Sequence, residues 1–383
     1  MTEKLYYADS RLFAFRARVT GCEEGEGGFL VTLDRTAFFP EGGGQSADTG
    51  SLGSARVLDA REKGDEIVHL TDAPLPVGET VAGAVDAEQR LRRMQEHSGE
   101  HVVSGLAHRL FGFDNVGFHM GEGGVTVDLS GELDEARLRL LETRANEVVR
   151  ADLPVRAYFP SPEELASLDY RSKKELTGAV RLVEIKGVDL CACCAPHVRH
   201  TGEIGQIVLL NAERHRGGMR LSVVCGLDAL DDHRARLEAA GAVSRALSVP
   251  REKIAGGVAR LLDERDGLKE RVAALSMELA RRMAESAEPT EGCLCVFDAL
   301  LDEIALRELV NLRAEKCAVA AAFSGSDAEG WRYILGSRRV DLRALAPRFN
   351  AAVEGRGGGT AEMIRGSAAA SERVIRDALA GLV

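Results

Sequence analysis

With 383 residues, 45% hydrophobic and 28% charged, the chain has room for two or three domains, each with a core of its own. The formal net charge of −11 excludes a protein that wraps nucleic acid non-specifically, although local basic patches can sit on an acidic molecule. No run is long enough to cross a bilayer and no charged-then-apolar signal peptide opens the chain, so no membrane partner is expected. The cysteines (Cys22, Cys191, Cys193, Cys194, Cys225, Cys293, Cys295, Cys317) crowd around position 193, unlike a disulfide framework. That crowding predicts metal chemistry in a reducing, cytoplasmic compartment.

Residues 1–89 alternate apolar stretches with glycine-rich turns, as in LFAFRARVTGC, GGFLVTLDRTAFF and ETVAGAVD, and predict a small N-terminal β-barrel. AEQRLRRMQEHSGEHVVSGLAHRLFG then has helical periodicity, with Leu91, Met94, Val102, Leu106 and Leu110 on or near one side. It opens an α/β domain over 90–227, with a second helix in DEARLRLLETRANEVVRA. Ile254, Val258, Leu261, Leu268, Val272, Leu275 and Leu279 step by threes and fours, with Arg265 at one seam position. This heptad seam predicts a helical hairpin or coiled coil within 228–286. After the linker AESAEPTEG, residues 287–383 predict a small α/β domain, with strands in CLCVFDALL, AVAAAFSG and RYILGS. There, GRGGGTAEMIRGS predicts a glycine-rich turn leading into a helix. The fold class expected is α+β.

Two short clusters carry the chemistry. His97 and His101 lie four apart on the predicted helix, a spacing that projects both imidazoles from one face. Cys193 and His197 lie four apart in CACCAPHVRH, inside a tight turn. Either pair alone has an ordinary explanation, as solvated histidines or a buried thiol; together they form a soft, nitrogen-rich set that suits one tetrahedral Zn²⁺. From the residues alone, Cys191, Cys194 and His200 compete with Cys193 for the shell. A third cluster, TAFFPEGGGQSADTGSL, places Gly42, Gly43 and Gly44 directly before Gln45, with Thr36 six residues upstream of the run. Consecutive glycines let backbone N–H groups approach a ligand. The spacing matches neither a dinucleotide fingerprint nor a P-loop, so nucleotide binding through this loop is excluded.

In chain order, TAFFPEGGGQSADTG, HSGEH and CCAPHVRHTGEIG resemble the editing domain of alanyl-tRNA synthetase and its free-standing relatives, the alanyl-tRNA editing proteins. GRGGGTAEMIRGS is similar to the glycine-rich motif of the C-terminal domain shared by alanyl-tRNA synthetases and DHH phosphoesterases. The resemblance runs from Thr36 to about Gly366 and is to the long free-standing form, with no aminoacylation domain expected ahead of Met1. It implies one zinc ion on His97, His101, Cys193 and His197, the HVxxTGEIG anchor fixing the register. The usual CGGTH is CCAPH here, so a stiff proline without an amide donor stands in the loop and Cys194 competes as a ligand.

What the resemblance implies is hydrolysis, in trans, of the aminoacyl ester of seryl-tRNA(Ala), or glycyl-tRNA(Ala), the errors an alanine pocket rejects weakly. It makes Thr36 the partner of the serine hydroxyl and Gln45 the contact to the ester carbonyl, the ribose or the attacking water. Gly42, Gly43, Gly44 and Arg93 are the expected substrate contacts. Whether zinc is catalytic or positional stays open, since four protein ligands close a shell. Arg90, Arg92 and Arg93, then Arg214, Arg216 and Arg220, then Arg338, Arg339, Arg343 and Arg348 beside Trp331, are candidate tRNA contacts. A homodimer through the coiled segment or the last domain is a further expectation. The competing expectation is a tRNA-binding module with a structural zinc and no hydrolysis.

Overall fold

Strand alternation decides how the chain begins. In Thr80–Val85 every second residue is buried, and Glu66–Thr71 follows the same period. These strands join Ala14–Gly25, Gly28–Leu33, Gly50–Leu52 and Ala55–Lys63 in a closed antiparallel ring, Thr80–Val85 pairing back onto Ala14–Gly25. Inward residues such as Val31, Leu33, Phe38, Leu52 and Ile67 fill it. The computed structural model describes residues 1–121, 124–172 and 179–382, and the chain divides into two units, Met1–Ala239 and Ala240–Val383. The class is mixed α+β.

The rest of the first unit is built around the helix Ala87–Phe111. Asp86 caps its start by accepting the Gln89 N–H, and Gly112, in the left-handed region, ends it. The sequence suggests a one-sided helix, yet Leu110 is exposed and an almost unbroken buried run extends from Met94 to Gly105. Two glycines make this possible. A Cβ on Gly99 would meet the Cys225 thiol, and one on Gly105 would meet the Val188 carbonyl, so a side chain at one point and backbone at the other close on the helix. Around it stand a four-stranded antiparallel sheet (Asn115–Gly121, Gly124–Leu129, Gly218–Cys225, Ile207–His215), the helix Glu135–Arg150, and a three-stranded sheet of Val155–Tyr158, Leu182–Ile185 and Asp189–Ala192.

One buried ion pair ties this helix to the glycine loop. Arg90 is wholly buried, and its Nε donates to both Asp48 oxygens at 3.0 and 2.9 Å while Nη1 and Nη2 reach the Ser10 and Ala37 carbonyls. Asp48 Oδ2 also accepts the Phe39 N–H at 2.7 Å. Arg90 is therefore a structural cation, which corrects its expected role as an RNA contact: a guanidinium sealed from solvent cannot meet a phosphate.

In the second unit, the helix Ile254–Glu285 precedes a five-stranded sheet ordered Cys293–Phe297, Val319–Ser326, Gly330–Gly336, Met363–Ala368, Arg356–Gly359. Only its first pair is parallel. Leu342–Ala352 and Glu372–Ala380 pack with one hydrophobic cluster and Glu303–Arg313 with another. Val258, Leu261, Leu268, Val272, Leu275 and Leu279 of the predicted seam are exposed. The expected turn-to-helix in GRGGGTAEMIRGS is corrected to a strand pair. A Cβ on Gly357 would strike the Tyr333 hydroxyl and one on Gly366 the Tyr333 ring, so the glycines let two extended strands lie across that side chain.

Replacing Asp48 with Asn should leave Arg90 buried and unpaired, costing roughly 3 to 5 kcal/mol of stability. Urea unfolding at unchanged m-value checks this; a loss below about 1 kcal/mol would contradict the role given to the pair.

Candidate metal centre and its cavity

The helix brings His97 and His101 to one face, and the loop after Asp189–Ala192 brings Cys193 and His197 against them. One donor atom from each of the four lies within 4.8 Å of the others. Cys193 Sγ is 3.6 Å from His97 Nε2 and 3.3 Å from His197 Nε2. For metal bonds of about 2.0 to 2.3 Å, a tetrahedron has S···N edges of about 3.5 Å. All three histidines are 2–3% exposed.

Each imidazole has its other nitrogen engaged. His97 Nδ1 lies 2.9 Å from Gln45 Oε1, His101 Nδ1 2.8 Å from Asp189 Oδ2, and His197 Nδ1 3.0 Å from Ser98 Oγ. An amide oxygen and a carboxylate can only accept, so His97 and His101 donate from Nδ1 and turn Nε2 toward the cluster. Ser98 accepts the Val198 N–H as well, which anchors the second ligand segment to the helix. Asp189 is itself held by Arg171, at 2.7 and 2.8 Å. Burial raises the Asp189 carboxyl, but His101 and Arg171 outweigh it and hold it at about 2. Burial likewise raises the Cys193 thiol, and the histidines, His97 first, outweigh it and hold it well below the usual range. Burial lowers the His101 imidazole, but its bonds to Asp189 and Cys193 outweigh that and raise it well above the ordinary value, so a cation bound here displaces a proton. The residue types, one thiol and three imidazoles, fit a zinc-type ion.

Cys194 does not join the four: it is exposed, and its sulfur lies beside Gly42 and Gly43. Cys191 is buried with His101 and Asp189 in a second group of ligand-type atoms. His200 is exposed, Nδ1 facing the Asp152 carbonyl. The CCAPH loop is braced by Arg181, whose Nη1 donates to the Cys193 and Ala195 carbonyls at 3.0 and 2.9 Å.

A cavity of about 480 Å³ opens onto this centre, with Gly43, Gly44, His97, His101, Cys193 and Cys194 in its wall. Gly44 has φ +85°, and a Cβ there would run into the Phe118 ring, which stacks on His97. Gln45 lies behind the wall, 1% exposed; its Nε2 has no hydrogen-bond partner among the described residues. Thr36 is fully buried and does not line the cavity: its Oγ1 is 2.9 Å from His69 Nε2 and accepts the Phe38 N–H. His69 Nδ1 faces the Val31 carbonyl, so Nδ1 carries the proton and the Thr36 hydroxyl donates to Nε2. Arg93 stands outside the cavity wall, its Nη1 donating to the Ala47 carbonyl.

Sequence reasoning missed the groups that orient the ligands, Asp189 and Ser98, and the braces Arg171 and Arg181. The one available signal was Asp189 itself, an acid within the apolar strand that leads into the cysteine cluster.

The site thus sets four buried or half-buried ligand-type side chains, from a helix and a loop, beside a small cavity. The family profile described as the threonyl and alanyl tRNA synthetase second additional domain matches residues 180–221. The alanyl-tRNA editing protein AlaX-M of Saccharolobus solfataricus is 36% identical over 57% of this chain and 97% of its own length. The alanine–tRNA ligase of Halorubrum lacusprofundi is 31% identical over 85% of this chain, and that of Natronomonas pharaonis 32% over the same share. This chain spans 37% of the length of those two ligases. It belongs to the family of alanyl-tRNA editing proteins, homologous to the editing and C-terminal regions of alanyl-tRNA synthetase.

Asp189→Asn should weaken zinc affinity roughly 10- to 100-fold without removing a ligand, read by competition with a chromophoric chelator; unchanged affinity would contradict its orienting role. Burial pushes His69 down to about 4 from an ordinary 6.5, so the unfolded chain binds the extra proton between those values. The stability it contributes is complete above about pH 6.5 and falls by roughly 3 kcal/mol as pH drops through 4. Urea midpoints across this window should fall more steeply for the native protein than for His69→Gln; parallel curves would contradict the assignment.

Proposed function

We propose that the protein is an aminoacyl-tRNA deacylase that hydrolyses the ester of seryl-tRNA(Ala), with glycyl-tRNA(Ala) as the second candidate, acting in trans. The observation that carries this reading is the shared cavity: three of the four ligand residues and the glycine loop line one space large enough for the end of an aminoacylated strand. Zinc held by His97, His101, Cys193 and His197 would supply positive charge beside the ester. The backbone of Gly43 and Gly44 is the candidate donor to the ester carbonyl, in the manner of an oxyanion hole. Gln45, behind the wall, fixes His97 through Oε1, and its unpartnered Nε2 is the candidate donor to a water that reaches the ester. An aminoacyl ester is already activated, so orientation by these groups can supply much of the rate.

Selection of serine over alanine needs a polar partner for the hydroxyl, left unpaired when alanine enters. Thr36 contributes from behind the wall, not as that partner but as a positioning residue that sets the Phe38 backbone and the loop after it. Arg93 contributes in the same way, through Ala47. The exposed apolar seam on Ile254–Glu285, bordered by Glu264, Arg265 and Lys269, is the candidate surface for pairing with a second copy. Sedimentation should then give a dimer that dissociates in Leu268→Glu/Leu275→Glu; a monomeric native protein would remove that proposal.

The closed four-residue donor set favours a second reading, a tRNA-binding module with a structural metal. Deacylation assays separate the two. Purified protein should release serine from seryl-tRNA(Ala) and spare alanyl-tRNA(Ala), and His97→Ala or metal removal should lower the rate at least about 100-fold. Tight tRNA binding with serine release at background would support the binding module and overturn the deacylase.

A further inference from the structure

Phe159 is the one exposed aromatic ring among the described residues, 51% accessible, and it stands in the wall of the cavity that His97, His101 and Cys193 reach. A ring left in water forgoes the burial energy that the other aromatic side chains of this chain gain. Local structure nevertheless fixes its backbone there. Phe159 follows the strand Val155–Tyr158 and precedes Pro162–Ser167, whose start is locked by the reciprocal bonds of Ser161 and Glu164. Tyr7 meets it edge to face, ring centres 5.6 Å apart.

Tyr7 is in turn held between Tyr6, at 4.7 Å, and the Arg181 guanidinium, 5.1 Å from its ring centre. Arg181 is the same residue that braces the Cys193 and Ala195 carbonyls. The aromatic wall and the ligand loop therefore share one support, and a molecule placed against the first is registered against the second.

A seryl or glycyl group occupies only a small part of a cavity of about 480 Å³, and phenyl and phenol rings offer the small acyl group little. The remainder of the ester is a ribose and a base at an unpaired strand end. Resting on the deacylase reading, we propose that Phe159 and Tyr7 form a nucleoside subsite. In it the terminal adenine of the aminoacylated 3′ end stacks, placing the ester beside the metal-capable cluster. Stacking on an aromatic face is how single-stranded ends are held without reading sequence, and a neighbouring guanidinium strengthens it. Phe159 and Tyr7 are thus substrate-positioning residues, separate from the groups that act on the ester.

The test compares native protein, Phe159→Ala and Phe159→Trp. With seryl-tRNA(Ala), Phe159→Ala should raise KM roughly 5- to 100-fold, with kcat held within about twofold, and Phe159→Trp should restore KM. Selectivity for seryl-tRNA(Ala) over serine ethyl ester, which carries no nucleoside, should fall by the same factor. Free adenosine should bind the native protein and not Phe159→Ala, by equilibrium dialysis. An active native enzyme with unchanged KM in Phe159→Ala would overturn the subsite, as would an equal loss on both esters, which marks a structural role. No serine release by the native protein would overturn the deacylase reading alone; adenosine binding that vanishes in Phe159→Ala would still support the subsite.

Discussion

Three imidazoles and a thiolate must share one small, nearly dry space, and the rest of the first unit is arranged around that demand. His97 and Cys193 are 96 positions apart in the chain, yet their donor atoms lie 3.6 Å from each other. Such a cluster is costly to assemble without a cation, because it gathers nitrogen and sulfur ligand atoms into one space away from water. The cost is offset on the outer side: Gln45, Asp189 and Ser98 engage the three Nδ1 atoms, so each ring is fixed in rotation, and His97 and His101 donate from Nδ1. Binding a metal to this arrangement adds to folding stability directly, since the unfolded chain has no such site.

The scaffold transmits that order to the cavity wall through two buried cations. Arg90, paired with Asp48, ties the helix to the glycine loop, and Arg181 ties the strand Leu182–Ile185 to the CCAPH carbonyls. Both are held by several acceptors at fixed angles, which a lysine could not reproduce. The proline in CCAPH therefore stands in a loop whose carbonyls are braced from outside, and the missing amide does not leave the turn unsupported.

Much of this was legible in the sequence where chemistry follows local spacing. The i, i+4 histidines lie on a helix as their periodicity requires, and the strand alternation of the first ninety residues is reproduced in the ring of six strands. What depends on distant pairing was not legible. Asp189 and Arg181 show their roles only once the sheet sets them beside the histidine helix, Ser98 only once the second ligand segment folds against that helix, and Tyr7 and Phe159 meet from far apart in the chain. Thr36 was placed by motif at the substrate, whereas burial and the His69 bond put it one layer behind the wall. The GRGGG segment misled because glycine reads as a turn; here it is the price of two strands passing over Tyr333.

The central claim, that His97, His101, Cys193 and His197 hold one ion, is tested most directly by cobalt substitution of the metal-free protein. The account predicts saturation at one equivalent, intense tetrahedral visible bands and a thiolate charge-transfer band that disappears in Cys193→Ser but survives in Cys191→Ser and Cys194→Ser. A charge-transfer band that persists in Cys193→Ser and vanishes in Cys194→Ser would contradict it.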